Sequence, residues 1–209
     1  MKHKSKLAEQ NQTWSDRSMS KLDQKIYKKI IFVRHGQYTS EPNEVLTERG
    51  RYQAQIAAKV VKELKPDKLF ASTMPRAIET AAYIEKECAL KTLQKDFFRE
   101  GILPGLEKVT KVKKAHHVAM KANKVKADKA YEFLFKAPKK SKSTVVVVAH
   151  GNVIRYWVCK ALGIDPKKWV HMDLEQCSIT TIRIDNKGFT TLLGFADVGH
   201  IPLKHRTYI

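Results

Sequence analysis

Three short apolar runs punctuate the chain. The first, Ile30, Ile31, Phe32 and Val33, stops at Arg34, His35 and Gly36; the second, in "DKLFAS", leads through Ser72 and Thr73 to Arg76; the third, Val145 to Val148, stops at His150, Gly151 and Asn152. Runs this short and this uniformly apolar read as strands buried on both faces. Between them the period changes. After a candidate N-cap at Thr47, Ala54, Ala57, Ala58, Val61 and Leu64 recur at helical spacing, and Ala77, Thr80, Ala81 and Ile84 do so after the second run. A longer helix is predicted from about 112 to 136, and "VIRYWVCKALG" predicts another, stopped by Gly163. Near the end "CSITTIRID", "NKG" and "FTTLLGFAD" predict a hairpin.

This alternation argues for an α/β fold: a three-layer sandwich whose mainly parallel sheet is flanked by helices. No internal repeat is visible. Residues 1–27 are polar and weakly periodic and read as an N-terminal tail, leaving 28–209 as one domain. Ligands in such folds bind outside the carboxyl ends of the strands. Two arginines and two histidines, Arg34, His35, Arg76 and His150, therefore converge on one rim.

Composition bears on where the protein works and what it meets. A chain of 209 residues with 43% hydrophobic content buries a core without metals or disulfides. Cys88, Cys159 and Cys177 are odd in number and far apart, which points to free thiols in a reducing compartment. No apolar run approaches the roughly 20 residues of a spanning helix, and Glu9, Asp16 and Asp23 argue against a transit peptide. A cytoplasmic location is expected, with mitochondrial association as the alternative. Forty Lys and Arg against 21 Asp and Glu give a net charge of +19, which attracts polyanions. Much of the excess lies in 107–142, with twelve lysines and two acids after Glu107.

Neighbouring guanidinium groups repel a cation, and no HExxH, carboxylate cluster or Cys/His spacing accompanies the histidines, so neither a metal nor another cofactor is expected. An anion fits better, because arginine forks match phosphate oxygens. Cationic neighbours lower a histidine's pKa, leaving neutral His35 as a nucleophile toward phosphorus. Arg34, Arg76 and His150 would then stabilise the transition-state oxygens. A leaving alkoxide needs a proton, and Glu100, in "FFREG", is the candidate acid; a surface glutamate paired with Arg99 is its bland alternative. Gln37, Gly151 and Asn152, which complete the motifs, are grouped with the substrate-binding residues.

"FVRHGQ", "LTERGRYQA", "ASTMPRAIETA", "FFREG" and "VVVVAHGNVIRYWV" occur in an order and spacing that resembles the histidine phosphatase superfamily, with its phosphoglycerate mutase-like fold. "AHGNVIRYWVCKALG" and "GFADVGHIP" are most similar to its mitochondrial serine/threonine protein phosphatase branch. The resemblance implies His35 as phosphoacceptor, Arg34, Arg76 and His150 as the phosphate pocket, and Glu100 as acid/base. It also implies a homodimer through an edge strand or the hairpin. Members of the branch are usually membrane-anchored near the N-terminus; no such segment appears here, and "TWSDR" only echoes their tryptophan-aspartate assembly motif. The connection from Glu100 to His150 is short for a mutase lid, so a metal-independent phosphatase is expected, with phosphorylated protein or a small phosphoester as substrate. A phosphoglycerate mutase or metabolite phosphatase is the alternative, and a non-catalytic basic binding module ranks third. Nucleic acid is not the expected partner.

Overall fold

The computed structural model describes residues 26–40 and 42–208; the expected tail and its "TWSDR" echo lie outside them, apart from residues 26 and 27. Six strands form one sheet: β1 (Tyr27–Arg34), β2 (Lys68–Ser72), β3 (Thr92–Lys95), β4 (Ser143–Ala149), β5 (Ile179–Asp185) and β6 (Thr190–Asp197), in the order β3-β2-β4-β1-β5-β6. The first four are mutually parallel, and β5 and β6 add an antiparallel edge. Four helices cover it: α1 (Glu48–Glu63), α2 (Pro75–Cys88), α3 (Lys114–Leu134) and α4 (Gly151–Ala161).

The pleat sorts the apolar runs onto two faces. Ile31, Val33, Val146 and Val148 point to one side and pack against Ala58 and Val61 of α1 and Ala77, Ala81 and Ile84 of α2. Ile30, Phe32, Val145 and Val147 point to the other, against Ala127, Ala130 and Leu134 of α3 and Val153, Ile154 and Trp157 of α4. Ile31 sits opposite Val146 and Val33 opposite Val148, so both faces stay in phase across the parallel pair. Each such side chain removed from water contributes about 1.5–3 kcal/mol. This is the three-layer α/β sandwich expected.

The helix ends follow the local signals. The Thr47 hydroxyl accepts the Gly50 N–H at 3.0 Å and caps α1. Gly163, at φ +67°, closes α4 in a Schellman motif, with Ile164 N–H on the Cys159 carbonyl and Gly163 N–H on that of Lys160. Trp157, fully buried, donates its indole N–H to the Ala127 carbonyl at 2.9 Å and ties α4 to α3. Two features differ from expectation. β1 begins at Tyr27, inside the stretch read as tail, and β3 was not anticipated.

Candidate active site

Arg34 ends β1, Ser72 ends β2 and His150 follows β4, so the three apolar runs deliver their polar ends to one rim. Arg34, His35, Ser72, Arg76 and His150 are all buried. The His35 and His150 ring centroids lie 5.0 Å apart. Glycine lets the chain turn after His35: a Cβ on Gly36 would sit 2.6 Å from the Gly50 carbonyl oxygen, where α1 begins. The Gly36 N–H is held by the Thr80 hydroxyl of α2 at 3.1 Å.

The partners of His35 fix its tautomer. Nδ1 lies 2.9 Å from the Gly36 carbonyl, which can only accept, so Nδ1 carries the proton. Nε2 lies 3.1 Å from Arg76 Nε, which can only donate, so Nε2 presents a lone pair. Burial holds the pKa of this imidazole well below the usual histidine value, and the Arg34 and Arg76 charges lower it further. Cationic neighbours were the expected cause; desolvation is the larger one. His150 is depressed likewise, by burial first and then by its neighbour His35 and the arginines. The Ser72 hydroxyl, which accepts the Met74 N–H, reaches His150 Nε2 at 2.8 Å. With that hydroxyl as donor, His150 Nδ1 carries a proton.

Among the described residues, two buried polar atoms near His35 have no hydrogen-bond partner: Arg34 Nε and His150 Nδ1. Leaving such groups unpaired costs about 1–3 kcal/mol each, and a tetrahedral oxyanion would satisfy both. Arg34 is anchored through Nη1 to the Leu174 carbonyl. Arg76 is gripped from the far side by Glu44, with Nη1 2.6 Å from the carboxylate, and its guanidinium lies 4.4 Å from the Tyr38 ring centroid.

Glu100 closes the site from the segment after β3. Its carboxylate accepts the Gly101 N–H at 3.1 Å and the Asn152 N–H, at the start of α4, at 3.3 Å. Desolvation pushes its pKa up, against the pull of those two N–H groups and of Arg34 and Arg76. Arg99 turns instead to Asp96, at 3.7 Å, so the bland pairing is not made. Asn152 bonds the Gly101 carbonyl at 3.2 Å, and Gly151 opens α4 beside Arg34. Gln37 is held differently: its side-chain oxygen takes the Thr47 hydroxyl at 2.8 Å, and among the described residues its amide nitrogen has no partner.

Tyr38, Glu44 and Arg155 were not singled out from the sequence, and Thr80 was read only as part of the inward face of α2. Arg155 donates to the carbonyls of Gly151 and Met172 and to Asn152 Oδ1, joining α4 to the loop that carries Leu174. Its signal was an arginine one turn beyond His150 inside an apolar helix. Among the described residues no group of three His, Cys, Asp or Glu side chains is arranged to hold a metal ion.

Comparison with known proteins gives the family and the fold. Residues 30–196 match the family model of the histidine phosphatase superfamily, branch 1. The mitochondrial serine/threonine-protein phosphatase Pgam5 of Drosophila persimilis is 36% identical over 210 residues, spanning 95% of this chain and 73% of the fly protein. Its Drosophila melanogaster counterpart is 35% identical over 198 residues, or 89% and 68% of the two chains. A phosphoglycerate mutase from Plasmodium falciparum superposes with a TM-score of 0.62 at 30% identity, covering 88% of this chain and 99% of its own. A phosphoserine phosphatase from Entamoeba histolytica shares the fold at 18% identity, with a TM-score of 0.64 over 84% of this chain and 100% of its own. With the family model spanning β1 to β6, the chain belongs to the histidine phosphatase superfamily and is a phosphatase.

Proposed function

We propose that the protein hydrolyses phosphomonoesters through a phosphohistidine on His35, with serine or threonine phosphate on protein as the main substrate. The observation that carries this reading is the His35 tautomer: a neutral imidazole, protonated at Nδ1, with its Nε2 lone pair among arginines. Nε2 attacks phosphorus and the ester P–O bond breaks. Arg34 Nε, Arg76 and His150 Nδ1 stabilise the equatorial oxygens, while Glu100 protonates the leaving alkoxide. Water then attacks the phosphohistidine, Glu100 takes its proton, the P–N bond breaks and His35 returns to its neutral form. Gln37, Gly151 and Asn152 complete the substrate-binding set, Gln37 through its free amide nitrogen and Asn152 by holding Glu100.

In this reading the charge on phosphorus is met by the arginine guanidiniums and imidazole, so the chemistry needs no metal ion. Turnover is therefore expected to survive EDTA. Loss on chelation, reversed by a divalent ion, would overturn that expectation. The protein substrate is supported by the fly relatives, which are named serine/threonine-protein phosphatases. The 30% identical mutase keeps a metabolite reading alongside it. Phosphate release compared over phosphopeptides, 3-phosphoglycerate and sugar phosphates separates the two.

Lysines on and just before α3 favour an acidic partner. The Asn123 amide bonds the Ile102 carbonyl at 3.1 Å, which brings the middle of α3 against the segment that carries Glu100. Further along, Lys124 and Lys126 pair with Asp128 and Asp96, whereas Lys113, Lys114 and Lys121 are exposed with no acid in contact among the described residues. Replacing these three with alanine is expected to slow association of an acidic phosphopeptide and to leave p-nitrophenyl phosphate almost untouched. Salt at roughly 0.5 M should mimic the change, since the Debye length is then only a few Å. Equal loss on both substrates would show that the lysines have no part in recognition.

A homodimer joined through the outer edge of β6 belongs to the same reading, because among the described residues that strand ends the sheet with one side unpaired. No helix among the described residues is long and apolar enough to cross a membrane. The relatives are named mitochondrial, against the cytoplasm expected for this chain, and cell fractionation distinguishes the two locations.

A further inference from the structure

The peptide between Gly36 and Gln37 is held at both ends. Its carbonyl receives the His35 Nδ1 proton at 2.9 Å, and its N–H donates to Gln53 Oε1 at 2.8 Å. Because the peptide is planar, turning one end turns the other, so Gln53 sets the direction from which the catalytic imidazole is held. Gln53, on α1, is fully buried. Its amide nitrogen donates to the His205 carbonyl and to the Thr207 hydroxyl, both at 2.7 Å.

The C-terminal segment then returns to the same turn by a second route. The Thr207 hydroxyl donates to Gln176 Oε1, and the Gln176 N–H to the Thr207 carbonyl at 3.1 Å. The next residue, Cys177, sends its N–H to the carbonyls of Arg34 and His35 at 3.1 and 3.3 Å. Cys177 does so at φ 56°, a left-handed conformation that a residue with a Cβ adopts at a cost. The ring of bonds from Gln37 through Gln53, Thr207 and Gln176 to His35 therefore encloses the nucleophile's turn, and the segment 205–207 is one side of it.

We propose that Gln53 and Thr207 are positioning residues, and that the C-terminal segment acts as a strap that locks the Gly36–Gln37 peptide and through it the line of attack of His35. The inference rests on the reading of His35 as nucleophile. A misaligned nucleophile loses rate more than affinity, since the arginines still bind the phosphate.

The test is rapid-quench measurement of phosphoenzyme formation, with steady-state kcat and KM, on the full chain carrying Gln53→Met, Thr207→Val, both together, or Thr207→Ser. Each of the first two is expected to slow phosphoenzyme formation by roughly tenfold or more, with KM within about twofold. The double variant should be no slower than the worse single one, because both cut the same ring. Thr207→Ser restores the hydroxyl and should recover most of the rate. Should Gln53→Met fail to fold, the Val and Ser substitutions at Thr207 decide alone. Phosphoenzyme formation in Thr207→Val at the wild-type rate, or equal loss in Val and Ser, overturns the strap. Absence of any phosphoenzyme in the unaltered protein overturns the nucleophile itself.

Discussion

Phosphate release by the His35→Ala variant is expected to fall at least about a thousandfold, in kcat rather than KM, while the chain stays folded. Among the described residues no other imidazole at the rim presents a free nitrogen lone pair to the arginine cluster, since His150 Nε2 is engaged by the Ser72 hydroxyl. The side chain is buried and uncharged, so its removal leaves a small cavity and frees Arg76 Nε. That costs about 1–3 kcal/mol against a total stability of about 5–15 kcal/mol. Circular dichroism and thermal melting check the fold, and phosphate release from a phosphopeptide checks the chemistry. Near-normal turnover in a folded variant would remove His35 from the mechanism.

The second large effect depends on the leaving group. Glu100→Gln keeps the shape of the side chain and removes its acidic proton. A serine alkoxide cannot leave without one, so release from a phosphoserine peptide should slow by about 10² to 10⁴. The p-nitrophenolate anion leaves unaided, and p-nitrophenyl phosphate should lose far less. Desolvation raises the pKa of Glu100, a shift toward the protonated form that the first step uses. Equal losses on both substrates would assign Glu100 to holding Asn152 and Gly101 in place rather than to proton transfer.

What the sequence shows of this molecule is what repeats or punctuates. β1 and β4 are legible because unbroken apolar runs have no stable place outside a doubly covered sheet, and α1 because Thr47 and the alanine spacing coincide. β3 is not legible: of Thr92, Leu93, Gln94 and Lys95 only Leu93 is apolar, and on this edge it is exposed. Strand direction is hidden as well, so the antiparallel β5 and β6 read only as a hairpin. The charged rim follows from strand ends, which is why Arg34, His35 and His150 are legible while Glu44 and Arg155 are not. Those two act through contacts between elements far apart in the chain. Gln53 reads as one more polar residue between the apolar positions of α1, and only the fold reveals that its amide faces inward. The lysine-rich stretch reads chiefly as an excess of charge, yet part of it belongs to the core: the C-terminal part of α3 packs on the sheet through Ala127, Ala130 and Leu134.

The central claim is that phosphorus passes through Nε2 of His35. Wild-type protein mixed with excess substrate and quenched in base within the first turnover should carry acid-labile phosphate, and peptide mapping should place it on Nε2 of His35. The hydrogen bond from Nδ1 to the Gly36 carbonyl leaves only Nε2 free to attack. Phosphate mapped to His150, to Nδ1, or to no residue at all while turnover proceeds would contradict the account.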